Sequence, residues 1–169
     1  MLSLKPLSAA RSDLTSLQCL LEQAPRYAHI TTAMPVSLDA AAEMLVALPP
    51  GKDYKDKFFL GIFDDGTLVG CIDLIRGYPS EFIACVGLLL IAEPYEGRGL
   101  GSRAFEQVLE VVGDWHTCTK LRLGILKTNE KAMYFWRKLG FAPTGESKPY
   151  QNGVVCTDVL LYERPLTAA

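Results

Sequence analysis

One stretch of the chain, residues 86–104, restricts the fold more than any other. It opens with the apolar run 86–91, which is dense enough for a strand covered on both faces. Pro94 cannot donate to a strand ladder, so the strand must end before it. Glycines follow at positions 97, 99 and 101, and beyond them apolar residues recur at three- and four-residue steps. The stretch therefore predicts a buried strand, a glycine loop and an amphipathic helix.

The glycine loop has the properties of an anion-binding site. Because glycine has no Cβ, the backbone can turn tightly and approach a ligand closely. The free N–H groups and the dipole at the start of the next helix favour an anion such as a pyrophosphate. Arg98 can add a charge-assisted bond to the phosphate. A plain turn from strand to helix is the alternative interpretation.

Two common nucleotide-binding motifs fit this loop poorly. A P-loop needs lysine and then serine or threonine after its last glycine, whereas Gly101 is followed by Ser102 and Arg103. A dinucleotide fingerprint matches residues 99–104, but the next predicted strand does not end in the acidic residue that would hold a ribose. A nicotinamide-dependent oxidoreductase is therefore only the third hypothesis.

The glycine loop and a second motif downstream both resemble motifs of one known family. Residues 96–101 resemble the Gln/Arg-x-x-Gly-x-Gly/Ala loop of the GCN5-related N-acetyltransferases, with Glu96 as a departure at the first position. Residues 129–141 resemble that family's Asn-x-x-Ala-x-x-x-Tyr-x-x-x-Gly-Phe helix, with Trp136 where tyrosine is usual. The resemblance covers roughly residues 58–165. It implies transfer of an acetyl group from acetyl-CoA, as the acyl-donor cosubstrate, to the primary amine of a small molecule.

The resemblance also implies where the cofactor binds. The pantetheine arm lies along the central strand, the pyrophosphate lies on the loop amides, and the second motif's helix flanks the cofactor. A backbone N–H near Leu90 is expected to stabilise the tetrahedral oxyanion. The cofactor-binding residues implied in this way are Leu89, Leu90, Ile91, Glu96, Gly97, Arg98, Gly99, Leu100, Gly101, Ser102, Asn129 and Trp136.

The catalytic side chains are less well defined. Many relatives carry a glutamate on the central strand, where this chain has the apolar residues 83–85. Asp73 and Glu81 are the candidate bases, since an amine near pKa 10 must lose a proton before it attacks. A satisfied carboxylate at a strand edge is the alternative role of Asp73. Trp136 cannot protonate a leaving thiolate. Tyr134 is the candidate acid, with packing in the core as its alternative role and water as the alternative proton source.

The remainder of the chain predicts an α/β fold. We expect a strand at 2–7, a helix capped by Ser12 or Asp13 that stops before position 25, a polar connector at 26–35, and a helix at 37–48. Strands are expected at 58–63, 68–75, 82–91 and 120–126, and a last hairpin turns at 151–153 into a strand at 154–162. Asn129 should cap the second motif's helix and Gly140 should end it.

These elements make a mixed, mostly antiparallel central sheet with helices on both faces and one parallel βαβ unit. In the resembled family, the first two helices form a wall of the acceptor pocket. Tyr27, His29 and Asp53 are therefore candidate substrate contacts, with an ordinary place on the surface as the alternative. The missing base and acid also motivate a rival hypothesis, in which the chain is a non-catalytic module that binds acyl-CoA.

Length, charge and cysteine content exclude several other classes of protein. At 169 residues we expect a single domain, 1–169. The net charge of −2 gives no sign of nucleic-acid binding, and no apolar run approaches the ~20 residues of a membrane span. The chain has five cysteines, and their spacing does not fit a metal site, so we expect no bound metal. The N-terminus has no signal-peptide core, which predicts a cytoplasmic protein without disulfides. Cys71 and Cys85 should be buried thiols. A homodimer, common in the resembled family, stays open, as does the identity of the acceptor.

Overall fold

The computed structural model describes residues 1–166 and contains a seven-stranded sheet. Its strands are β1 (Leu2–Pro6), β2 (Lys57–Asp64), β3 (Thr67–Arg76), β4 (Ile83–Ile91), β5 (Lys120–Leu126), β6 (Ala142–Asn152) and β7 (Val155–Pro165). Its helices are α1 (Arg11–Glu22), α2 (Pro25–Thr31), α3 (Ala40–Val46), α4 (Leu100–Gly113) and α5 (Glu130–Lys138). No helix of this described part is both long enough and apolar enough to cross a membrane.

The strand order is β1-β2-β3-β4-β5-β7-β6. Within residues 1–166 the pair β4–β5 is parallel and every other neighbouring pair is antiparallel. Apolar residues of α4 and α5 form a core with one face of the sheet, and those of α1, α2 and α3 form a core with the other face. The predicted α/β fold, with helices on both faces and one parallel βαβ unit, is confirmed.

The N-terminal helices differ from the prediction. The expected polar connector contains α2, which begins with Pro25, a residue suited to the first helical position because the missing N–H costs nothing there. Its Ala28 is buried, so packing stabilises a helix that hydrophobic periodicity does not reveal. The third helix is shorter than expected and spans Ala40–Val46.

The predicted start of the first helix and that of the last strand are also corrected. Helix α1 begins at Arg11 with Ala10 as its N-cap, because the Asp13 carboxylate accepts hydrogen bonds from Ser8 instead of capping the helix (2.9 Å from the backbone N–H, 2.8 Å from the hydroxyl). The last hairpin turns at residues 153–154, so the final strand is Val155–Pro165.

Strand β4 carries a bulge that positions the site. Opposite β3, Val86 pairs with Leu74 and Leu88 pairs with Asp73, so Gly87 is the extra residue. The parallel pairing with β5 ends at Val86 and Leu123. From Gly87 onward the β5-facing edge of β4 therefore lacks a strand partner within the described residues, and a gap opens between the two strands.

Candidate active site

The glycine loop joins the free end of β4 to α4. Gly97 and Gly99 have φ angles of +76° and +72°, in the left-handed region that favours glycine. Gly101 is needed for a different reason: a Cβ there would lie 3.2 Å from Cζ of Phe135. The loop residues therefore provide both the turn and the close approach of α4 to α5.

The first turn of α4 presents free backbone donors. Gly99 is the N-cap, and the Arg103 N–H donates to the Gly99 carbonyl oxygen over 3.1 Å, as the first bond of the helix. The N–H groups of residues 100–102 precede that bond, and no side chain among the described residues caps them. This end of α4 is therefore suited to bind an anion.

A cleft of about 430 Å³ lies where the free end of β4, the glycine loop, α2 and α5 meet. Eleven of the twelve residues expected at the cofactor line it: Leu89, Leu90, Ile91, Glu96, Gly97, Gly99, Leu100, Gly101, Ser102, Asn129 and Trp136. The exception is Arg98, which donates to the Pro94 carbonyl oxygen (3.0 Å) and lies over the Tyr95 ring.

Helix α5 forms one wall of the cleft. The Asn129 side chain accepts a hydrogen bond from the Ala132 N–H (3.1 Å), which confirms the predicted cap, and Gly140 follows the helix at a φ of +86°. The Trp136 indole is only 8% exposed and packs edge-on against Phe105 and Phe141, with ring centroids 5.5 and 5.1 Å away. This wall therefore supplies an aromatic surface and no hydroxyl at position 136.

Four charged side chains line the same cleft: Arg26, Glu93, Glu96 and Lys131. Arg26 and Lys131 both donate to Oε2 of Glu96, over 2.5 and 2.6 Å. The sequence analysis missed both cations, because Arg26 lies in the expected connector and Lys131 occupies a variable position of the second motif. Neither position carries a motif signal that could have identified it.

Asp73 lies on β3, beside the bulge of β4. Its Oδ2 is 2.8 Å from Nζ of Lys57, whose side chain is 3% exposed, and 3.4 Å from the place where a Cβ on Gly87 would lie. Its Oδ1 is buried and has no hydrogen-bond partner among the described residues. Burial raises the pKa of Asp73, and the Lys57 ammonium opposes that rise.

Tyr27 of α2 lines the cleft. Burial raises the pKa of this hydroxyl to about 12, and the charges of Cys71, Tyr150 and Asp73 add to the rise. The phenol therefore stays protonated at neutral pH and can act as a hydrogen-bond donor.

The tip of the β6–β7 hairpin is tied to the end of α2. The Tyr150 hydroxyl donates to the Thr31 carbonyl oxygen over 2.9 Å, and the Val154 N–H donates to the Thr32 carbonyl oxygen over 3.3 Å. Two elements that are far apart in sequence therefore meet at the C-terminal end of α2, the helix that carries Tyr27.

Of the two expected buried thiols, that of Cys71 is confirmed and that of Cys85 is partly exposed. Cys71 is fully buried and Cys85 is half-buried. Burial raises the pKa of Cys71 to about 12 and that of Cys85 to about 11. Both thiols are therefore neutral at physiological pH and behave as small apolar groups.

The other candidate residues, like Asp73, are not among those that line the cleft. Glu81 lines a second cleft, which lies before the start of β4, roughly 30 Å from the glycine loop along the strand. Tyr134 is 65% exposed and its ring lies under the Lys138 ammonium, so its alternative role in the core is wrong. His29 and Asp53 are exposed, and Asp53 caps a short 3-10 turn by accepting from the Lys55 N–H.

Comparison with known proteins adds an independent observation. A model of the acetyltransferase (GNAT) family matches residues 20–141. The spermidine N(1)-acetyltransferase of Escherichia coli strain K12 is 38% identical over 86 residues, which cover 48% of this chain. The match spans 44% of that protein, less than half of its length.

Solved structures show the same fold. An acetyltransferase from Thermus thermophilus aligns with a TM-score of 0.77 at 25% identity, over 98% of this chain and 97% of the other. A spermidine N-acetyltransferase from Vibrio cholerae, solved in complex with CoA and spermine, aligns with a TM-score of 0.74 at 19% identity, over 99% and 96%. Together with the match of the family model to most of the chain, the glycine loop and the gap beside β4 lead to one conclusion: the chain belongs to the GNAT family of N-acetyltransferases.

Proposed function

We propose that this protein transfers the acetyl group of acetyl-CoA to the primary amine of a small molecule, by direct attack in a ternary complex. One observation carries the proposal: the unpaired edge of β4 and the uncapped start of α4 line the same cleft. An unpaired strand edge suits the neutral, amide-bearing pantetheine arm, and a helix N-terminus suits the diphosphate.

The cofactor contacts follow from this placement. Residues 89–91 pair with the pantetheine arm, and the N–H groups from Gly97 to Ser102 hold the diphosphate. Asn129 fixes the start of α5 and Trp136 packs beside the arm. Support comes from the lining of the cleft, which includes all the expected contacts except Arg98.

Asp73 is the general base of the proposed reaction. The acceptor nitrogen attacks the thioester carbonyl carbon, the Asp73 carboxylate takes the proton that the nitrogen loses, and the carbon–sulfur bond breaks to give an acetamide and the CoA thiolate. A backbone N–H near Leu90 stabilises the tetrahedral oxyanion. Two observations support this role: the Asp73 side chain is 18% exposed, and its buried Oδ1 has no hydrogen-bond partner among the described residues, which leaves the carboxylate with unused acceptor capacity.

Tyr27 takes the place of the tyrosine that position 136 lacks. Its hydroxyl donates a hydrogen bond to the thiolate as the carbon–sulfur bond breaks. A phenol whose pKa is raised to about 12 is a weaker acid than a thiol, so water completes the protonation of sulfur. Glu81 and Tyr134 have no part in this mechanism, because Glu81 lines the second cleft before the start of β4 and Tyr134 is 65% exposed on α5.

A small-molecule amine is proposed as the acceptor. The spermidine N-acetyltransferases among the relatives act on such an amine, as their names state. The tip of the β6–β7 hairpin is tied to the end of α2, the helix that carries Tyr27, and this contact favours a compact acceptor over a folded protein surface.

The test is an assay of CoA thiol release with acetyl-CoA and a panel of polyamines, amino acids and amino sugars. We expect release that depends on at least one amine and exceeds the release in a reaction without amine. Calorimetric binding of CoA without release on any amine would contradict the proposed reaction and favour a non-catalytic module that binds acyl-CoA.

A further inference from the structure

We propose that Glu96 competes with the phosphates of the cofactor for Arg26 and Lys131, and that phosphate binding displaces the Glu96 carboxylate from both cations. The three residues are called the ion bridge below. This inference rests on the proposed function, since it concerns how the same cleft recognises CoA.

The ion bridge joins three elements across the cleft. Arg26 extends from α2, Glu96 lies directly before the glycine loop, and Lys131 extends from the first turn of α5. A single oxygen, Oε2 of Glu96, accepts from both cations over 2.5 and 2.6 Å. Arg26 is also anchored by Glu93, whose Oε1 is 2.8 Å from its backbone nitrogen and 3.2 Å from its Nε. The two cations are therefore held beside the phosphate-binding loop by carboxylates.

The charges in this cluster cancel. Two cations and two carboxylates leave no net charge to attract a multiply charged anion. Once the Glu96 carboxylate is displaced, the same cluster carries one positive charge next to the start of α4. Glu96 itself cannot replace the glutamine or arginine usual at this position, because a carboxylate accepts hydrogen bonds and has no N–H to donate to phosphate.

The exposure of these groups makes displacement feasible. The side chains of Arg26 and Lys131 are 55% and 66% exposed, and that of Glu96 is 30% exposed. Ion pairs at this exposure are screened by water and contribute little stability. A diphosphate carries more charge and more acceptor oxygens than one carboxylate, so it wins the competition for both cations.

The first test is Glu96→Gln, which removes the charge and keeps the shape. We expect CoA to bind about three- to tenfold more tightly by calorimetry, because its phosphates no longer compete for cations in weak, exposed pairs. S-acetylpantetheine, which lacks the phosphates, should bind equally to both proteins. Glu110→Gln removes an exposed carboxylate of α4 in the same way and should leave CoA affinity unchanged.

A second experiment tests whether the gain in CoA affinity depends on Arg26 and Lys131 or only on the loss of a negative charge. In a protein that already carries Arg26→Gln and Lys131→Gln, adding Glu96→Gln should no longer improve CoA affinity, because no cation is left to release. A gain that persists in this background would overturn the inference, and so would a Glu96→Gln protein that binds CoA equally or more weakly. Wild-type protein that fails to bind CoA would instead contradict the proposed function.

Discussion

At the scale of single residues, the Asp73–Lys57 pair has unequal surroundings. The Lys57 side chain is 3% exposed, whereas that of Asp73 is 18% exposed and keeps one oxygen unpartnered among the described residues. Lys57 therefore balances the charge of Asp73 without using all its acceptor capacity. Burial raises the pKa of this carboxyl group, which strengthens the carboxylate as a base.

Replacing Asp73 by asparagine tests its role as the base. The amide cannot take a proton from the attacking amine, so we expect kcat to fall by about 10²- to 10⁴-fold while CoA affinity stays unchanged. Steady-state kinetics and calorimetry measure the two quantities. A loss with Glu81→Gln as large as the loss with Asp73→Asn would contradict the choice of base.

The dependence of kcat/KM on pH should change when Lys57 is replaced. The base works only when deprotonated, so activity falls as pH drops through its pKa. Burial raises that pKa above the ordinary 3.8 and Lys57 opposes the rise, so in Lys57→Met the acid limb of kcat/KM should move to higher pH. Lys57→Arg keeps the charge and should retain most of the wild-type profile. An unchanged limb in Lys57→Met would show that another group limits the rate at low pH.

At the scale of elements, the tip of the β6–β7 hairpin is fitted to the end of α2. A Cβ on Gly153 would lie 2.5 Å from the Thr32 carbonyl oxygen, which is backbone and cannot rotate away. The hairpin can therefore dock on α2 only with glycine at this position. Since α2 carries Tyr27, we propose that this docking sets the shape of the acceptor site.

Substitution of Gly153 by alanine should therefore loosen that site. We expect the KM for the amine to rise several-fold, with a much smaller change in CoA affinity, because the cofactor-binding loop lies on other elements. Gly145→Ala is the matched control: it has a similarly positive φ of +87°, but its Cβ would have nothing within 4 Å. If both variants raise the KM equally, backbone strain rather than docking is responsible.

At the scale of the whole molecule, sequence patterns predicted the sheet better than the site. Alternation and turn chemistry are local signals, and residues 65 and 66 do adopt the positive φ values that a tight hairpin needs. The bulge at Gly87 gives no such signal, since the glycine interrupts an apolar run that fits an unbroken strand equally well. The ion bridge joins residues 70 and 35 positions apart, so only the folded chain reveals it.

The cleft also spans the two layers of the molecule. It is lined by α2, which packs on one face of the sheet, and by α5, which packs on the other. A ligand that contacts both helices stabilises the native arrangement of both layers, so its effect should appear in the global unfolding transition. CoA and NAD should differ in this respect, because NAD also carries an adenosine and a diphosphate but lacks both the 3′-phosphate of CoA and the pantetheine arm that would pair with β4.

At 100 times its Kd, CoA should add about 2.7 kcal/mol to the free energy of unfolding. For a chain of this length, that gain raises Tm by about 5–10 °C. NAD at the same concentration should leave Tm within about 1 °C, because the anion site alone provides little binding once the strand edge is not used. The measurement is thermal unfolding followed by circular dichroism, with S-acetylpantetheine as a third ligand that carries the arm without the phosphates. Equal stabilisation by NAD and CoA would mean that the diphosphate site dominates recognition and that the gap beside β4 contributes nothing to it.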